Sequence, residues 1–270
     1  MAEYKAGFIG CGSMGGALVR ALVKAIPAES IAVSGKSTVR ADRLAAELGV
    51  VSTSMEDIVK NSEWLFLATK PQTFPKVLTE ISGMLKKRTD RFVLVSVAAG
   101  LEMKTVLSYL ENDCPLIRIM PNTPVGVGAG MTMYCCSALI TDKDREEFAD
   151  LMAFSGIMDE VDEKLMDAGC AVAGCGPAFA FLFIEALADG GVKCGLPRQK
   201  ALQYAAQTVL GSAELLLQSG KHPGVLKDEV CSPGGSTIEG VMSLEEKGFR
   251  GAAAGAVAAA FEKNRKLGKA

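Results

Sequence analysis

Short β-rich runs and helix-like stretches alternate through the first half of the chain. Strand, helix and strand at this spacing predict βαβ units and a mostly parallel sheet. The β-rich runs are Ala6–Ile9, Ile31–Ser34, Trp64–Thr69, Phe92–Val97 and Leu116–Met120, and the stretches between them are Met14–Lys24, Val39–Leu48, Pro75–Leu85 and Leu101–Leu110. Two more short runs could extend the edge of this sheet, with a helix between them: Thr132–Cys135, Met158–Val161 and the helix Asp142–Phe154.

The alternation ends after Glu163, and only long helical stretches follow. They are Pro177–Val192, Arg198–Ser219, Ile238–Glu246 and Arg250–Leu267. GAAAGAVAAAF, within the last of them, has almost no polar face, which predicts burial. We expect this half to form the subunit interface of at least a dimer. An ordinary helical domain packed on its own sheet is the alternative.

Composition excludes several classes of protein. The chain has 270 residues and a formal net charge of -2, so no large basic face is expected for nucleic acid. The uncharged run Ile119–Thr141 contains prolines and glycines that exclude a membrane helix, and MAEYKAGFIG lacks the pattern of a signal peptide. The 8 cysteines include no Cys-x-x-Cys, and His222 is the 1 histidine. We therefore predict a cytoplasmic protein with no membrane segment, reduced and mostly buried cysteines, and no metal site.

The first β-rich run leads into a glycine-rich turn. Gly10, Gly12 and Gly15 fit the pattern G-x-G-x-x-G, with Ser13 and Met14 inside it, between a predicted strand and a predicted helix. In that context the pattern indicates a dinucleotide site of the Rossmann type. We predict a Rossmann domain at residues 1–162 and an all-α dimerisation and substrate-binding domain at 163–270.

The end of the second strand suggests which dinucleotide binds. NAD sites usually place a carboxylate there, but this strand ends in Val-Ser-Gly-Lys-Ser-Thr. Ser34, Lys36 and Ser37 would suit a 2′-phosphate, which favours NADPH and leaves NADH as the less favoured cofactor. A lysine in a solvated loop is the alternative.

Later strand ends should complete the crevice in which a dinucleotide binds. The candidate cofactor contacts there are Ala68, Thr69, Lys70, Pro71, Ala98, Ala99 and Gly100, and Asn122 lies in a stiff Pro-Asn-Thr-Pro loop that we place over the nicotinamide end. Ordinary strand-to-helix connections are the alternative for all three stretches.

KDEVCSPGGSTIEG, residues 227–240, concentrates hydroxyls and glycines before a predicted helix. Ser236 and Glu239 have the spacing of a capping box, which is the simpler reading. The other reading is an anion site, because a helix N-terminus offers free N–H donors at a positive dipole end.

Together these motifs resemble the pyrroline-5-carboxylate reductase family over essentially the whole chain. The resemblance is carried by GFIGCGSMGGA, LATKPQ, RIMPNTP, GCGPAF, FIEALADGGVKCGLPR and, most specifically, HPGVLKDEVCSPGGSTIEG. It implies NAD(P)H-dependent reduction of a cyclic imine to L-proline, the last step of proline synthesis, by dimers that often assemble into decamers.

The resemblance also implies roles for single residues. Ser232 and the backbone of Gly234, Gly235 and Ser236 would hold the substrate carboxylate, and Thr237 would hydrogen-bond the ring nitrogen as the catalytic residue. Three positions depart from the family: Met55 replaces an asparagine that contacts the cofactor in relatives, Cys175 replaces a serine and Phe179 replaces a tyrosine.

The residues suit an imine substrate, because an imine nitrogen can already be protonated and needs positioning more than a histidine base. Two rivals remain open at this point. One is a related dehydrogenase with a catalytic lysine, for which Lys193 is the candidate, and the other is a non-catalytic NADP-binding sensor.

Overall fold

An eight-stranded sheet dominates the first part of the computed structural model, which describes residues 3–111 and 113–267. Its strands are β1 (Tyr4–Ile9), β2 (Ile31–Ser34), β3 (Val51–Ser52), β4 (Ser62–Leu67), β5 (Val93–Ser96), β6 (Leu116–Met120), β7 (Gly130–Cys136) and β8 (Gly156–Glu160). The spatial order is β3-β2-β1-β4-β5-β6-β7-β8. All neighbours are parallel except the antiparallel pair β6 and β7. The predicted Rossmann fold is confirmed, and its topological switch point lies between β1 and β4.

Among the described residues, six α-helices belong to this part of the chain, and apolar cores cover both faces of the sheet. The helices are α1 (Ser13–Leu22), α2 (Thr38–Leu48), α3 (Met55–Asn61), α4 (Phe74–Leu85), α5 (Met103–Ser108) and α6 (Asp142–Leu151). Because side chains alternate along a strand, Phe8 and Phe66 enter one core while Ile9 and Leu67 enter the other. The rings of Phe8 and Phe66 stack with centroids 4.4 Å apart, which fixes β1 against β4 beside the switch point.

The rest of the described chain is helical. It comprises α7 (Met166–Gly169), a π-helical segment (Cys170–Gly174), α8 (Gly176–Lys193), α9 (Arg198–Ser219), α10 (Pro223–Val230), α11 (Ser236–Glu246) and α12 (Phe249–Leu267). The chain divides into two compact units. One contains the residues up to Cys175 and those from Ala260 onward, and the other is Gly176–Ala259. The domain boundary between 162 and 163 stays a prediction.

The second unit buries little apolar surface within one chain. Its buried apolar residues, in a unit described throughout, are Ala188, Ala201 and Ala205. By contrast Leu182 and Leu217 are 67% and 71% exposed. One helical stretch, Glu163–Lys193, is also apolar and long enough to cross a membrane by length and composition alone, and only 11% of its most apolar window is buried in the single chain.

Several local predictions differ from the structure. The short elements β3, α3 and α10 were not expected, and α10 begins at a Lys-His-Pro that resembles a loop. His222 is the N-cap of α10, and its Nδ1 accepts a hydrogen bond from the Gly224 N–H at 3.1 Å. Of the cysteines, Cys194 is exposed, so the prediction of burial is wrong for that residue.

Candidate cofactor and substrate sites

The glycine-rich turn between β1 and α1 has a backbone that only glycine suits. Gly10 has φ +115°, and a Cβ there would lie 2.5 Å from the Ala68 carbonyl oxygen. A Cβ on Gly15 would lie 2.1 Å from the Gly10 carbonyl oxygen. The turn is therefore packed against the end of β4 on one side and against α1 on the other.

The second glycine of the pattern, Gly12, faces open space. Gly12 is the N-cap of α1, and a Cβ built on it would meet nothing within 4 Å. No side chain caps this helix and no acidic residue lies in its first turn. The N–H groups at Ser13 and Met14, which have no partner within the helix, are thus free for an anion. The turn fits a pyrophosphate.

A cavity of about 420 Å³ adjoins this turn. It is lined by residues that follow β1, β2 and β4, by the loop before α3 and by the starts of α2, α3 and α4: Ile9, Gly10, Ser34, Gly35, Lys36, Thr38, Thr53, Ser54, Met55, Thr69, Thr73, Lys76, Val77 and Glu80. Two cations, Lys36 and Lys76, and one carboxylate, Glu80, therefore border a space next to the phosphate-binding turn. This arrangement suits the adenosine half of a dinucleotide.

The three residues predicted to bind a 2′-phosphate occupy different environments. Ser34 is buried, with its hydroxyl 3.5 Å from the Phe8 carbonyl oxygen, and its own carbonyl accepts hydrogen bonds from the Gly10 N–H and the Cys11 thiol. Lys36 and Ser37 are exposed, and the Ser37 side chain makes no cap hydrogen bond to α2. Ser34 therefore shapes the turn, while Lys36 and Ser37 are the ones free to meet a ligand.

Cys11 lies inside the glycine turn without being a reactive thiol. Burial raises its pKa to about 11, so the thiol is neutral at physiological pH. Its hydrogen bond to the Ser34 carbonyl, at 3.1 Å, joins the turn to the end of β2.

The predicted contacts at the ends of β4 and β5 lie on the same edge of the sheet. The hydroxyl of Thr69 is buried and finds no hydrogen-bond partner among the described residues, as expected of a group that meets a ligand. Lys70 is exposed, and Pro71, whose backbone begins a short 3-10 turn, has a side chain outside the described set. After β5, Ala98 is buried, Ala99 is partly buried and Gly100 has φ +77°.

Asn122 has a structural role in its loop. Its side-chain oxygen accepts a hydrogen bond from the Met131 N–H at 3.0 Å, and its amide donates to the Ala173 carbonyl at 3.1 Å. The buried side chain is thus engaged by backbone groups, and any cofactor contact of this residue stays a prediction.

In the helical unit, the segment between α10 and α11 forms a tight turn. The Gly235 N–H donates to the Ser232 carbonyl at 3.0 Å, with Pro233 second and Gly234 third, at φ +66°. This is the pattern of a type II turn. A Cβ on Gly235 would lie only 2.4 Å from the Ser232 hydroxyl oxygen, so that hydroxyl lies directly over the N-cap of α11.

Of the two interpretations of this stretch, the capping box at Ser236 is wrong. The helix α11 begins at Ser236 with Gly235 as N-cap, and no side chain caps it. Because glycine has no side chain to accept from the first turn, the N–H groups of Ser236 and Thr237 have no partner within the helix. Ser232, Gly234, Ser236 and Thr237 are all exposed, so this helix end is open to an anion.

Sequence reasoning missed the contribution of α4 to the cavity. Lys76 and Glu80 line it together with Thr73, the N-cap of α4. The two charged residues belong to an amphipathic helix, where they resemble those of any solvated face. Lys193, the candidate for a dehydrogenase-type catalytic lysine, is the last residue of α8 and is exposed. The described residues contain no group of three or more His, Cys, Asp or Glu side chains that could hold a metal.

Comparison with known proteins follows the same division of the chain. A family model described as pyrroline-5-carboxylate reductase dimerisation matches residues 163–267. A model described as NADP oxidoreductase, coenzyme F420-dependent, matches residues 5–100. Both halves of the chain therefore have counterparts in families of known type.

Full-length relatives share one description. The chain is 41% identical to pyrroline-5-carboxylate reductase of Escherichia coli strain K12, covering 99% of both chains. It is also 41% identical to the Arabidopsis thaliana enzyme, covering 98% of this chain and 96% of the relative. Among solved structures, Plasmodium falciparum pyrroline carboxylate reductase with NADP bound matches with a TM-score of 0.88 and 33% identity, covering 99% of this chain and 100% of the other.

Proposed function

The chain belongs to the pyrroline-5-carboxylate reductase family, and from this we infer that it is an oxidoreductase that reduces 1-pyrroline-5-carboxylate to L-proline with NAD(P)H, the last step of proline biosynthesis. The observation that carries this function is identity of 41% over 99% of the chain with a reductase of that name. The rivals considered from the sequence, a dehydrogenase with a catalytic lysine and a non-catalytic sensor, are disfavoured by the same match.

The cofactor is NADP(H), and we propose the residues that hold it. The pyrophosphate would meet the backbone at Gly10, Gly12 and Gly15 and the N–H groups of Ser13 and Met14, because no side chain caps that helix end. Other contacts would come from Ser34, Lys36, Ser37, Ala68, Thr69, Lys70, Pro71, Ala98, Ala99, Gly100 and Asn122. The exposed Lys36 and Ser37 support NADPH over NADH, since a cation and a hydroxyl suit a phosphate dianion.

The substrate carboxylate would bind at the N-terminus of α11. The Ser232 hydroxyl lies over the N-cap, and the backbone of Gly234, Gly235 and Ser236 would form an anion cradle at the positive end of the helix dipole. The N–H groups of Ser236 and Thr237 would be its open donors, because the Gly235 N–H already donates to the Ser232 carbonyl within the turn. The Thr237 hydroxyl, one residue into the helix, would then hydrogen-bond the ring nitrogen. This role makes Thr237 the catalytic residue of the proposal.

Bound NADPH supplies the hydride that adds to the carbon of the C=N bond. The π electrons move to the ring nitrogen, which becomes the secondary amine of proline. Thr237 would orient this nitrogen through a hydrogen bond that is kept as the positive charge of the nitrogen is lost. The carboxylate cradle would prevent rotation of the ring. Because the iminium form already carries its proton, no strong base is required of the chain.

The protein is an oligomer with a small-molecule substrate, and we propose a homodimer formed by the C-terminal helices, with assembly to a decamer as a further step. Exposed apolar residues on α8 and α9 support this, since such surface is normally covered. The same contact would account for the apolar stretch Glu163–Lys193 without a membrane. With a net charge of -2 we propose no nucleic-acid partner, and we place the enzyme in the cytoplasm.

Steady-state oxidation of NADPH by the full chain tests the function. The rate should depend on racemic pyrroline-5-carboxylate, and L-proline should accumulate in proportion to NADPH consumed. Absence of oxidation with the imine, in a folded oligomer that binds NADPH, would overturn the proposed activity.

A further inference from the structure

A buried arginine lies beside the proposed cofactor crevice, with no role in the function as stated so far. Arg118 is the central residue of β6, and its side chain is 2% exposed. Its strand neighbours Ile117 and Ile119 enter one core, whereas Leu116 and Met120 enter apolar clusters on the opposite face. Since side chains alternate along a strand, the guanidinium shares the face of Leu116 and Met120. A charge in such surroundings requires a partner.

Glu163 is that partner, and it also makes a second contact. One oxygen of its carboxylate lies 2.9 Å from Arg118 Nη1 and accepts a hydrogen bond from the Met103 N–H at 2.7 Å. Met103 is the first residue of α5. Arg118 thus fixes the Glu163 carboxylate, which accepts a hydrogen bond from the first residue of α5. Asp167 lies 3.7 Å from Arg118 Nη2, within ion-pair range but too far for a hydrogen bond.

These contacts enclose one short segment of chain. Ser96, the last residue of β5, pairs with Arg118 in the sheet register, and Met103 is bonded to Glu163. Between them lie residues 97–102, which include Ala98, Ala99 and Gly100. Both ends of the segment are therefore connected to the same arginine. Ser96 is paired with Arg118 in the sheet, and Met103 is linked to Arg118 through the Glu163 carboxylate.

We propose that Arg118, acting through Glu163, is a positioning residue that fixes the segment 97–102 for the nicotinamide half of the cofactor. The inference rests on the proposed use of Ala98, Ala99 and Gly100 as cofactor contacts. Hydride transfer is sensitive to small displacements, so a loosened segment should reduce turnover more than cofactor affinity. The adenosine half, held at the glycine turn, should be unaffected.

Amide hydrogen exchange on the full chain without cofactor tests the structural step. In Glu163→Ala, exchange in the peptide covering residues 97–104 should be faster by about tenfold or more, because the Met103 N–H loses its acceptor and the segment loses one tie. Glu160→Ala is the matched control, since Glu160 is the last residue of β8 and pairs with Arg145 of α6 rather than with Arg118. It should leave that peptide within about twofold of wild type. Unchanged exchange in Glu163→Ala would overturn the proposal.

Kinetics and NADPH binding test the functional step. Glu163→Ala and Arg118→Met should lower kcat by more than about fivefold while the Kd for NADPH changes by less than about threefold. Arg118→Lys, which keeps a cation for Glu163, should restore part of kcat. Faster exchange together with wild-type kcat in Glu163→Ala would overturn the positioning role. If Arg118→Met does not fold, the kcat of Glu163→Ala alone tests the proposal. Failure of the wild type to reduce the imine would instead refute the proposed function, leaving the exchange result to be judged separately.

Discussion

The two units of this chain treat apolar surface in opposite ways. The unit that contains the sheet buries large side chains on both of its faces, among them Phe8, Phe66 and Trp64. In the unit 176–259 the buried apolar residues are three alanines, while Leu182 and Leu217 are mostly exposed. The first unit has a core of its own, whereas the second needs a surface supplied by another molecule. Cofactor binding should therefore depend on the local geometry of the unit that contains the sheet. The stability of the helical unit should depend on assembly with another chain.

The largest expected effect is on assembly. Leu182→Glu or Leu217→Glu should abolish the oligomer, because each would bury an unpaired carboxylate in an apolar contact. Light scattering should then report the mass of one chain. The control is Leu139→Glu, a residue 48% exposed in the unit that contains the sheet, which should keep the wild-type mass. A wild-type chain that is monomeric and active would refute the interface.

The next effect concerns substrate affinity. Ser232→Ala should raise the KM for the imine by about tenfold or more while kcat changes little, since the carboxylate is held in ground and transition states alike. Ser243→Ala, which changes an exposed serine in the helix α11 that follows the turn, should leave KM unchanged. Equal KM values for Ser232→Ala and wild type would exclude this hydroxyl from the site.

A third test concerns cofactor choice, which the proposal assigns to the unit containing the sheet. Wild type should have a higher kcat/KM with NADPH than with NADH, and Lys36→Glu should reduce this ratio by about tenfold, because a carboxylate would face the 2′-phosphate. Lys24→Glu makes the same change of charge at the end of α1 and should preserve the ratio. Equal kcat/KM values for NADPH and NADH in the wild type would contradict the interpretation of Lys36.

The smallest effect is on acid stability of the same unit. Burial raises the pKa of Asp144, but hydrogen bonds from Arg91 and Thr141 outweigh it and lower the pKa from 3.8 to about 2. The stabilisation is therefore present above pH 4 and is lost as the pH falls toward 2. Asp144→Asn should lower the free energy of unfolding by about 2 kcal/mol at neutral pH, with a difference that shrinks as the pH falls from 4 through 2.

Chemical denaturation at several pH values measures this difference. Asp142→Asn, an exposed carboxylate in the same first turn of α6, is the control and should track the wild type. A difference for Asp144→Asn that does not change between pH 7 and pH 2 would show that its effect is not electrostatic.

The sequence predicts the long elements well because their hydrophobic periodicity is strong. It predicts poorly where local rules compete. The strand β3 has only two residues, Val51–Ser52, too few for any periodicity. At α11, Ser236 and Glu239 satisfy the capping-box spacing, but Gly235 takes the N-cap position and Ser236 becomes the first helical residue. A capping pattern alone does not determine which residue is the N-cap and which is the first residue of the helix.

The candidate sites show the same contrast. The glycine turn was predictable, because each glycine serves a backbone requirement that a motif can express. The role of Lys76 was not predictable, since Lys76 resembles a solvated helical residue. The ion pair between Arg118 and Glu163 was not predictable either, because the two residues are far apart in the chain. Tertiary packing brings such residues together, and their spacing along one sequence does not predict that contact.

The most direct test of the account is the single-turnover rate of NADPH oxidation in Thr237→Ala, measured by mixing enzyme preloaded with NADPH and saturating pyrroline-5-carboxylate. We predict a rate reduced by more than about tenfold, corresponding to at least ~1.4 kcal/mol of lost transition-state stabilisation, with an unchanged Kd for NADPH. A rate equal to that of wild type, accompanied only by a lower melting temperature, would contradict a catalytic role for Thr237 and reduce the turn to the start of a helix.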